Sequence, residues 1–256
     1  MAAPTMDHLE LTDLSDPIMF TNPFPRYAEL RRNAPVSRVR SKQLARKGGY
    51  LLARYDDVMM LHTDKRFSKD FMINGRPGLM KVMPRMFRLL SMVFKDDPDH
   101  KRLRGLVNKA FIPKMVQRMA DDIERAVAVL LDDLDGRDVV PCGAARITLE
   151  DVEVAGVTIP KGSNVLGMII SANRDEGVFA HPDVLDLGRD PNRHIAFAFG
   201  AHYCLGNQLA RLEGRTALAA LVQRFEHIEL TVARSELRYK PTHSLRGLRS
   251  LPLRLR

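Results

Sequence analysis

The chain has 256 residues, 45% of them hydrophobic, with Lys+Arg 40 against Asp+Glu 31 for a formal charge of +9, two cysteines and no tryptophan. This composition excludes bulk disorder and allows one large domain or two small ones, each able to bury a core. Cys142 and Cys204 are too few for a disulfide framework or a four-thiolate zinc site, so cysteine chemistry would fall on a single thiol. The basic excess is spread along the chain with acids interleaved, so nucleic acid is not an expected partner. No run approaches the roughly 18 apolar residues of a membrane span, and the first 17 residues lack the apolar run of a signal peptide. The expectation is a cytoplasmic chain without a membrane anchor.

In chain order, residues 17–25 read as loop, Tyr27 to Asn33 as a helix stopped before Pro35, and Gly49 to Tyr55 as a strand. Asp56 and Asp57 then cap a helix through Met60 and Leu61. Residues 71–94 form a methionine-rich loop with helical pieces; Met72, Met80, Met83, Met86 and Met92 suit core filling or an adaptable apolar pocket wall. Asp96 or Asp97 caps the next helix, with Pro98 in its first turn and Leu103, Leu106, Val107, Ala110 and Phe111 at helical spacing until Pro113. A second amphipathic helix spans about 114–134, its stripe made of Met119, Ile123, Val127, Leu130 and Leu134. Val152, Val154, Val157 and Ile159 alternate around Ala155-Gly156 as a hairpin. Residues 163–172 are almost continuously apolar, and the segment up to Arg193 has little regular structure, which for a loop that long points to function.

The sharpest feature is Phe197-Ala-Phe-Gly-Ala-His-Tyr-Cys-Leu-Gly206, a glycine-containing loop that ends in a lone cysteine just before a helix marked by Leu205, Leu209, Leu212, Leu221 and Phe225. A thiol there meets unpaired backbone N–H groups and the positive end of the macrodipole, which predispose Cys204 to ionise and bind metal. Gly200 permits the tight turn, and Gly206 permits close approach of a flat ligand. On spacing alone a buried structural cysteine is the favoured reading, and a zinc site from His194, His202 and Cys204 is a further one.

The loop resembles the haem-ligand signature of the cytochrome P-450 family, matched at Phe197, Gly200, Cys204 and Gly206. His202 and Leu209-Ala-Arg-Leu-Glu213 are similar to its soluble bacterial branch, while Ala198 departs from that branch, which usually has glycine there. Asp97-Pro-Asp-His-Lys-Arg-Leu-Arg104, Phe67-Ser68, Asn173-Arg-Asp175, Arg189-Asp-Pro-Asn192 and Leu245-Arg-Gly-Leu248 resemble further family segments in the right order. The resemblance implies a mainly α fold with small β-sheets (α+β) and haem b as cofactor, with Cys204 as the axial iron ligand. It also implies that His100, Arg104, Arg146 and His202 hold the haem propionates. Activity by resemblance is monooxygenation of a small apolar substrate, with electrons from a ferredoxin or flavoprotein.

Against that family the chain passes straight from Leu134-Asp-Gly-Arg-Asp-Val-Val140 to Pro141-Cys-Gly-Ala-Ala-Arg146, segments that the family separates by a long central block. That block would hold the oxygen-activating acid–alcohol pair and a helix with a Glu-x-x-Arg motif. No catalytic residue is therefore identifiable, and the one Glu-x-x-Arg, Glu29 to Arg32, sits near the N-terminus. Arg189 is expected to lack its family partners and to be solvated or to find substitutes. The implied fold is internally truncated, with residues 1–140 as its N-terminal part and 141–256 as the haem-ligand part. Alternatives to a working enzyme are an impaired relic with weak or no haem binding and a basic helical interaction protein.

Overall fold

The apolar stretch 163–172 supplies a central strand of a six-stranded sheet, Asn164–Gly167, and then the short helix Ile169–Ala172. The computed structural model describes residues 9–41, 45–74, 92–132, 139–141, 143–240 and 245–256. In chain order the strands are β1 (Leu11–Asp13), β2 (Val36–Ser41), β3 (Ala45–Leu52), β4 (Phe67–Ser68), β5 (Val139–Pro141), β6 (Ala144–Thr148), β7 (Val152–Val154), β8 (Val157–Ile159) and β9 (Asn164–Gly167). The sheet runs β1-β2-β3-β9-β6-β4, with β9 parallel to β3 and antiparallel to β6. A strand covered on both faces has no solvent side, so its apolar run is continuous. Strands from both sides of residue 140 thus share one sheet.

The period-two alternation of the strands divides the core between the two faces. Tyr50, Leu52 and Val165 join Val58, Leu61 and Phe67 on one face. Leu51 and Leu166 join Leu14, Tyr27, Leu30 and Met168 on the other. A third, smaller cluster of Val116, Ile123, Val127 and Leu212 lies among the helices. The expected hairpin is present as β7 and β8, and Ala155 (φ 47°) and Gly156 (φ 78°) form its left-handed turn.

Several local expectations need correction. Residues 17–25 are not loop: they hold the helix Pro17–Thr21 and the start of the helix Phe24–Asn33. Pro17 and Pro25 sit in first turns, where no backbone N–H is needed, and Asp16 Oδ1 accepts from Ile18 N at 3.0 Å. The strand β3 ends at Leu52, and the helix Tyr55–Thr63 begins without a cap from Asp56 or Asp57. Its first amide, Tyr55 N, instead donates to Asp175 Oδ2 at 2.8 Å, a carboxylate supplied from the far end of the sequence. The helix expected over 114–134 is two helices, Pro113–Gln117 and Ala120–Asp132. Met80, Met83, Met86 and Cys142 lie outside the described residues, as do the side chains of Met72, Leu130 and Leu134.

Between the short helix Ile169–Ala172 and the turn at Gly200, residues 173–199 have neither helix nor strand, as expected. The segment is held by side chain to backbone bonds: Ile195 N donates to Asn173 Oδ1 at 2.8 Å and Tyr55 Oη to Arg193 O at 2.8 Å. Arg189 finds substitutes for its expected partners in three carbonyls, Ala180 O at 2.6 Å and His181 O and Val184 O at 3.4 Å. The helix Asn207–Arg224 follows the cysteine loop, and the strands β10 (Ile228–Leu230), β11 (Leu245–Gly247) and β12 (Leu253–Leu255) close the chain. β11 pairs with β5, and β10 pairs with β12. Among the described residues no helix is long and apolar enough to cross a membrane.

Candidate functional site

The cysteine loop folds back on itself through its own amides. Ala198 N donates to Ile195 O at 2.9 Å, Tyr203 N to Gly200 O at 3.0 Å and Cys204 N to Phe197 O at 2.9 Å. Asn207 Nδ2 then donates to Cys204 O at 2.8 Å, which ties the loop to the first residue of the helix. The Cys204 thiol is exposed and forms no disulfide. At Gly200 the backbone has φ +68°, and a Cβ would lie 2.8 Å from His62 O, so both conformation and space demand glycine. At Gly206 a Cβ would meet nothing within 4 Å, so the chain itself places nothing against this residue beside the thiol. Ala198 adopts φ +60°, a left-handed conformation that strains an L side chain where the family branch has glycine. Phe197 is half-buried, with the Arg211 guanidinium 5.2 Å from its ring centroid.

Beside the loop, basic side chains from four parts of the chain come together. Arg146 on β6 is only 2% exposed, and its Nη2 lies 3.3 Å from His62 Nδ1 at the end of the helix Tyr55–Thr63. His100, in the helix Asp99–Asn108, stacks on His202 of the loop with ring centroids 4.1 Å apart. Arg104, one turn on, donates from Nη1 to Ala201 O at 3.1 Å. The four residues expected to bind propionates therefore lie around one place.

Electrostatics make this place costly without an anion. Burial, and then the charge of Arg146, push His62 down to about 3. Burial, His100, Arg146 and Lys69 do the same to His202, also to about 3. Burial pulls Arg146 down to about 10, and burial with Arg146 pulls Lys69 to about 7. His100 is lowered chiefly by burial. A neutral His62 that accepts from Arg146 at Nδ1 carries its proton on Nε2, and that buried atom has no partner among the described residues.

The nearby carboxylates offset the cluster only in part: Asp97 lies 3.6 Å from His100 Nδ1, and the charge of Asp96 reaches Arg146 and Lys69 while its oxygens are engaged by the turn. Asp96 was expected to cap its helix; it instead accepts from Ser68 Oγ, from Lys69 N at 2.8 Å and from Asp70 N at 3.4 Å. Asp70 pairs with Lys95 at 2.9 Å. Pro98 takes the cap position, with no side-chain cap bond, and Asp97 Oδ1 accepts from Lys101 N at 3.1 Å. A flat group bearing two carboxylates fits what remains: buried cations short of anions, an unpaired N–H, an exposed thiol and a glycine facing space the chain leaves open. A zinc site does not form, since His202 stacks on His100, and His194 Nε2 lies 3.5 Å from the Arg211 guanidinium. Among the described residues no three His, Cys, Asp or Glu side chains group to hold a metal ion.

Sequence reading missed Lys69, His62 and the grip of Asp96. Lys69 directly follows the matched Phe67-Ser68, but nothing in its neighbours signals that the turn faces β6 and the cysteine loop.

Comparison with known proteins agrees with this geometry. The model of the family described as Cytochrome P450 matches residues 136–246. The polyketide biosynthesis cytochrome P450 PksS of Bacillus subtilis is 47% identical over 112 residues, which cover 44% of this chain and 28% of PksS. Cytochrome P450-SU2 of Streptomyces griseolus is 44% identical over 169 residues, covering 66% of this chain and 38% of the relative. The chain thus spans well under half the length of the curated relatives it matches. The solved structure of PksS from Bacillus subtilis 168 superposes with a TM-score of 0.81 at 23% identity, covering 94% of this chain and 98% of that one. The tirandamycin C-bound P450 monooxygenase TamI superposes with a TM-score of 0.84 at 22% identity, covering 95% and 100%. Sequence match, shared fold and the cysteine loop converge: over residues 136–246 the chain is similar to the cytochrome P450 family, and its fold is that of solved P450 structures.

Proposed function

We propose that this chain is a haem-thiolate oxidoreductase of the monooxygenase type, which binds haem b through Cys204 and oxidises a small apolar organic substrate. Electrons would come from a ferredoxin or flavoprotein. The observation that carries the reading is the exposed Cys204 thiol at the end of a self-bonded loop, next to a cationic cluster in which buried Arg146 has no carboxylate hydrogen bond among the described residues. Proteins of the family bind haem b, and the matched relatives include an enzyme named Nocardicin C N-oxygenase, 45% identical over 118 residues. The chain spans 30% of that relative's length.

The chemistry supplied by thiolate-ligated haem is oxygen activation, since an electron-rich iron favours O–O cleavage. The chain's own residues bind and orient. Cys204 would hold the iron through Sγ; its amide donates to Phe197 O, and the thiol is presented rather than buried. Gly200 lets the loop press against His62 O, and Gly206 leaves the face beside the sulfur open. Arg146, His100, Arg104 and His202 would balance the charge of the propionates and so hold the group in one orientation. No side chain here is assigned to proton delivery, consistent with the central block expected between Val140 and Pro141 being absent.

Purified chain supplied with haem should give the red-shifted Soret band of a thiolate-ligated ferrous carbon-monoxide complex. Cys204→Ser should abolish that band and Cys142→Ser should leave it. Loss with Cys142→Ser and retention with Cys204→Ser would overturn the assignment.

A further inference from the structure

Lys69 is the one strongly basic side chain at the cluster that neither the family motif nor a partner in the chain accounts for. Its position is set from outside its own turn: Asp96 gathers Ser68 Oγ, Lys69 N and Asp70 N onto one carboxylate at the entry of the His100 helix. One acid therefore locks the turn after β4 to the helix that carries His100 and Arg104. Ser68 is 1% exposed and Asp70 3%, so the turn is inside the fold. Among the described residues the Lys69 ammonium has no hydrogen bond or ion pair, because Asp70 is taken by Lys95 and Asp96 by the turn amides.

We propose that Lys69, with the unpaired Nε2–H of His62, is an additional binding element for the haem carboxylates, pinned in place by Asp96. This rests on the haem reading above and deepens it. The groups whose charge or titration is coupled to Lys69 are Arg146 from β6, His62 from the helix Tyr55–Thr63 and His202 from the cysteine loop, which lies against His100. Asp96 is the one acid acting on it, and its oxygens are already engaged by the turn. An unpaired ammonium beside a buried guanidinium is costly, whereas an incoming carboxylate turns both costs into charge-assisted hydrogen bonds. Burial and Arg146 pull Lys69 down to about 7 against the charge of Asp96, so a further anion beside it would favour its charged form.

The test measures dissociation constants for haem and for haem dimethyl ester, whose carboxylates are masked, with the unmodified chain, Lys69→Met and Lys69→Arg. Denaturant stability of each haem-free chain is measured beside them. Lys69→Met should weaken haem binding roughly 10–100-fold. Lys69→Arg should recover most of that loss, and the dimethyl ester should bind the unmodified chain and Lys69→Met alike. The haem-free Lys69→Met chain should be at least as stable as the original, since it sheds an unpaired buried charge. Equal haem affinity for all three chains, an equal loss for haem and its ester, or a destabilised haem-free Lys69→Met chain would each overturn the role. Absence of the thiolate-type spectrum in the unmodified chain would instead overturn the haem reading, and this inference with it.

Discussion

The sheet and the helical face are built from equally amphipathic sequence and bury it very differently. Around β3 and β9 the side chains of Leu51, Leu52, Leu61 and Val165 are almost inaccessible. On the helices Asp99–Asn108, Ala120–Asp132 and Asn207–Arg224, Leu106 is 73% exposed, Val129 69% and Leu218 63%, and the cluster there has four buried side chains. A helical stripe specifies which side would be buried, while burial itself needs a partner. A strand in mid-sheet has its neighbours fixed by backbone hydrogen bonds.

The largest effects should therefore fall on the sheet. Leu51→Ala should cost about 3–5 kcal/mol in a urea unfolding titration, whereas Leu106→Ala should stay within about 0.5 kcal/mol. Comparable losses at the two sites would mean that the helical face has a hidden partner. Gly200→Ala, at the junction of loop and sheet core, should cost about 2–3 kcal/mol, since it adds a Cβ 2.8 Å from His62 O at φ +68°. The same denaturation assay measures it, with displacement of the Cys204 loop expected as a weakened thiolate-type spectrum.

Acid sharpens the comparison further, because buried His62 lies against Arg146 of β6 on the sheet side. His62 is held at about 3 in the folded chain against an ordinary value of 6.5. Its contribution is therefore complete above about 6.5 and lost as the unfolded chain takes up the proton below that. Between pH 7 and pH 5 the haem-free chain should lose up to about 2 kcal/mol from this group, and His62→Gln should flatten that part of the pH–stability curve. The smallest effect belongs to the loop. Ala198→Gly relieves a left-handed alanine at φ +60° and should stabilise by about 0.5–1 kcal/mol, read as a small rise in the urea midpoint.

What the sequence by itself determined is the local backbone and the chemistry carried in one stretch. The turn at Ala155-Gly156, the helix after Cys204 and the irregular run 173–199 all follow from residues within a few positions of one another. The cysteine loop was legible for the same reason: Gly200 must be glycine because of its own φ as well as its contact with His62. His100 and Arg104 could be read because helical spacing places them on one face. Only the tertiary structure decided where distant segments meet. It set β9 between β3 and β6, gave the cap of the helix Tyr55–Thr63 to Asp175, turned Asp96 from a cap into a clamp on the Lys69 turn, and broke the expected long helix at residues 118–119. Pairings of this kind leave no period in the sequence. A carboxylate near a helix start goes wherever it meets the most otherwise unpaired N–H and O–H groups, and those groups arrive only when the chain has folded.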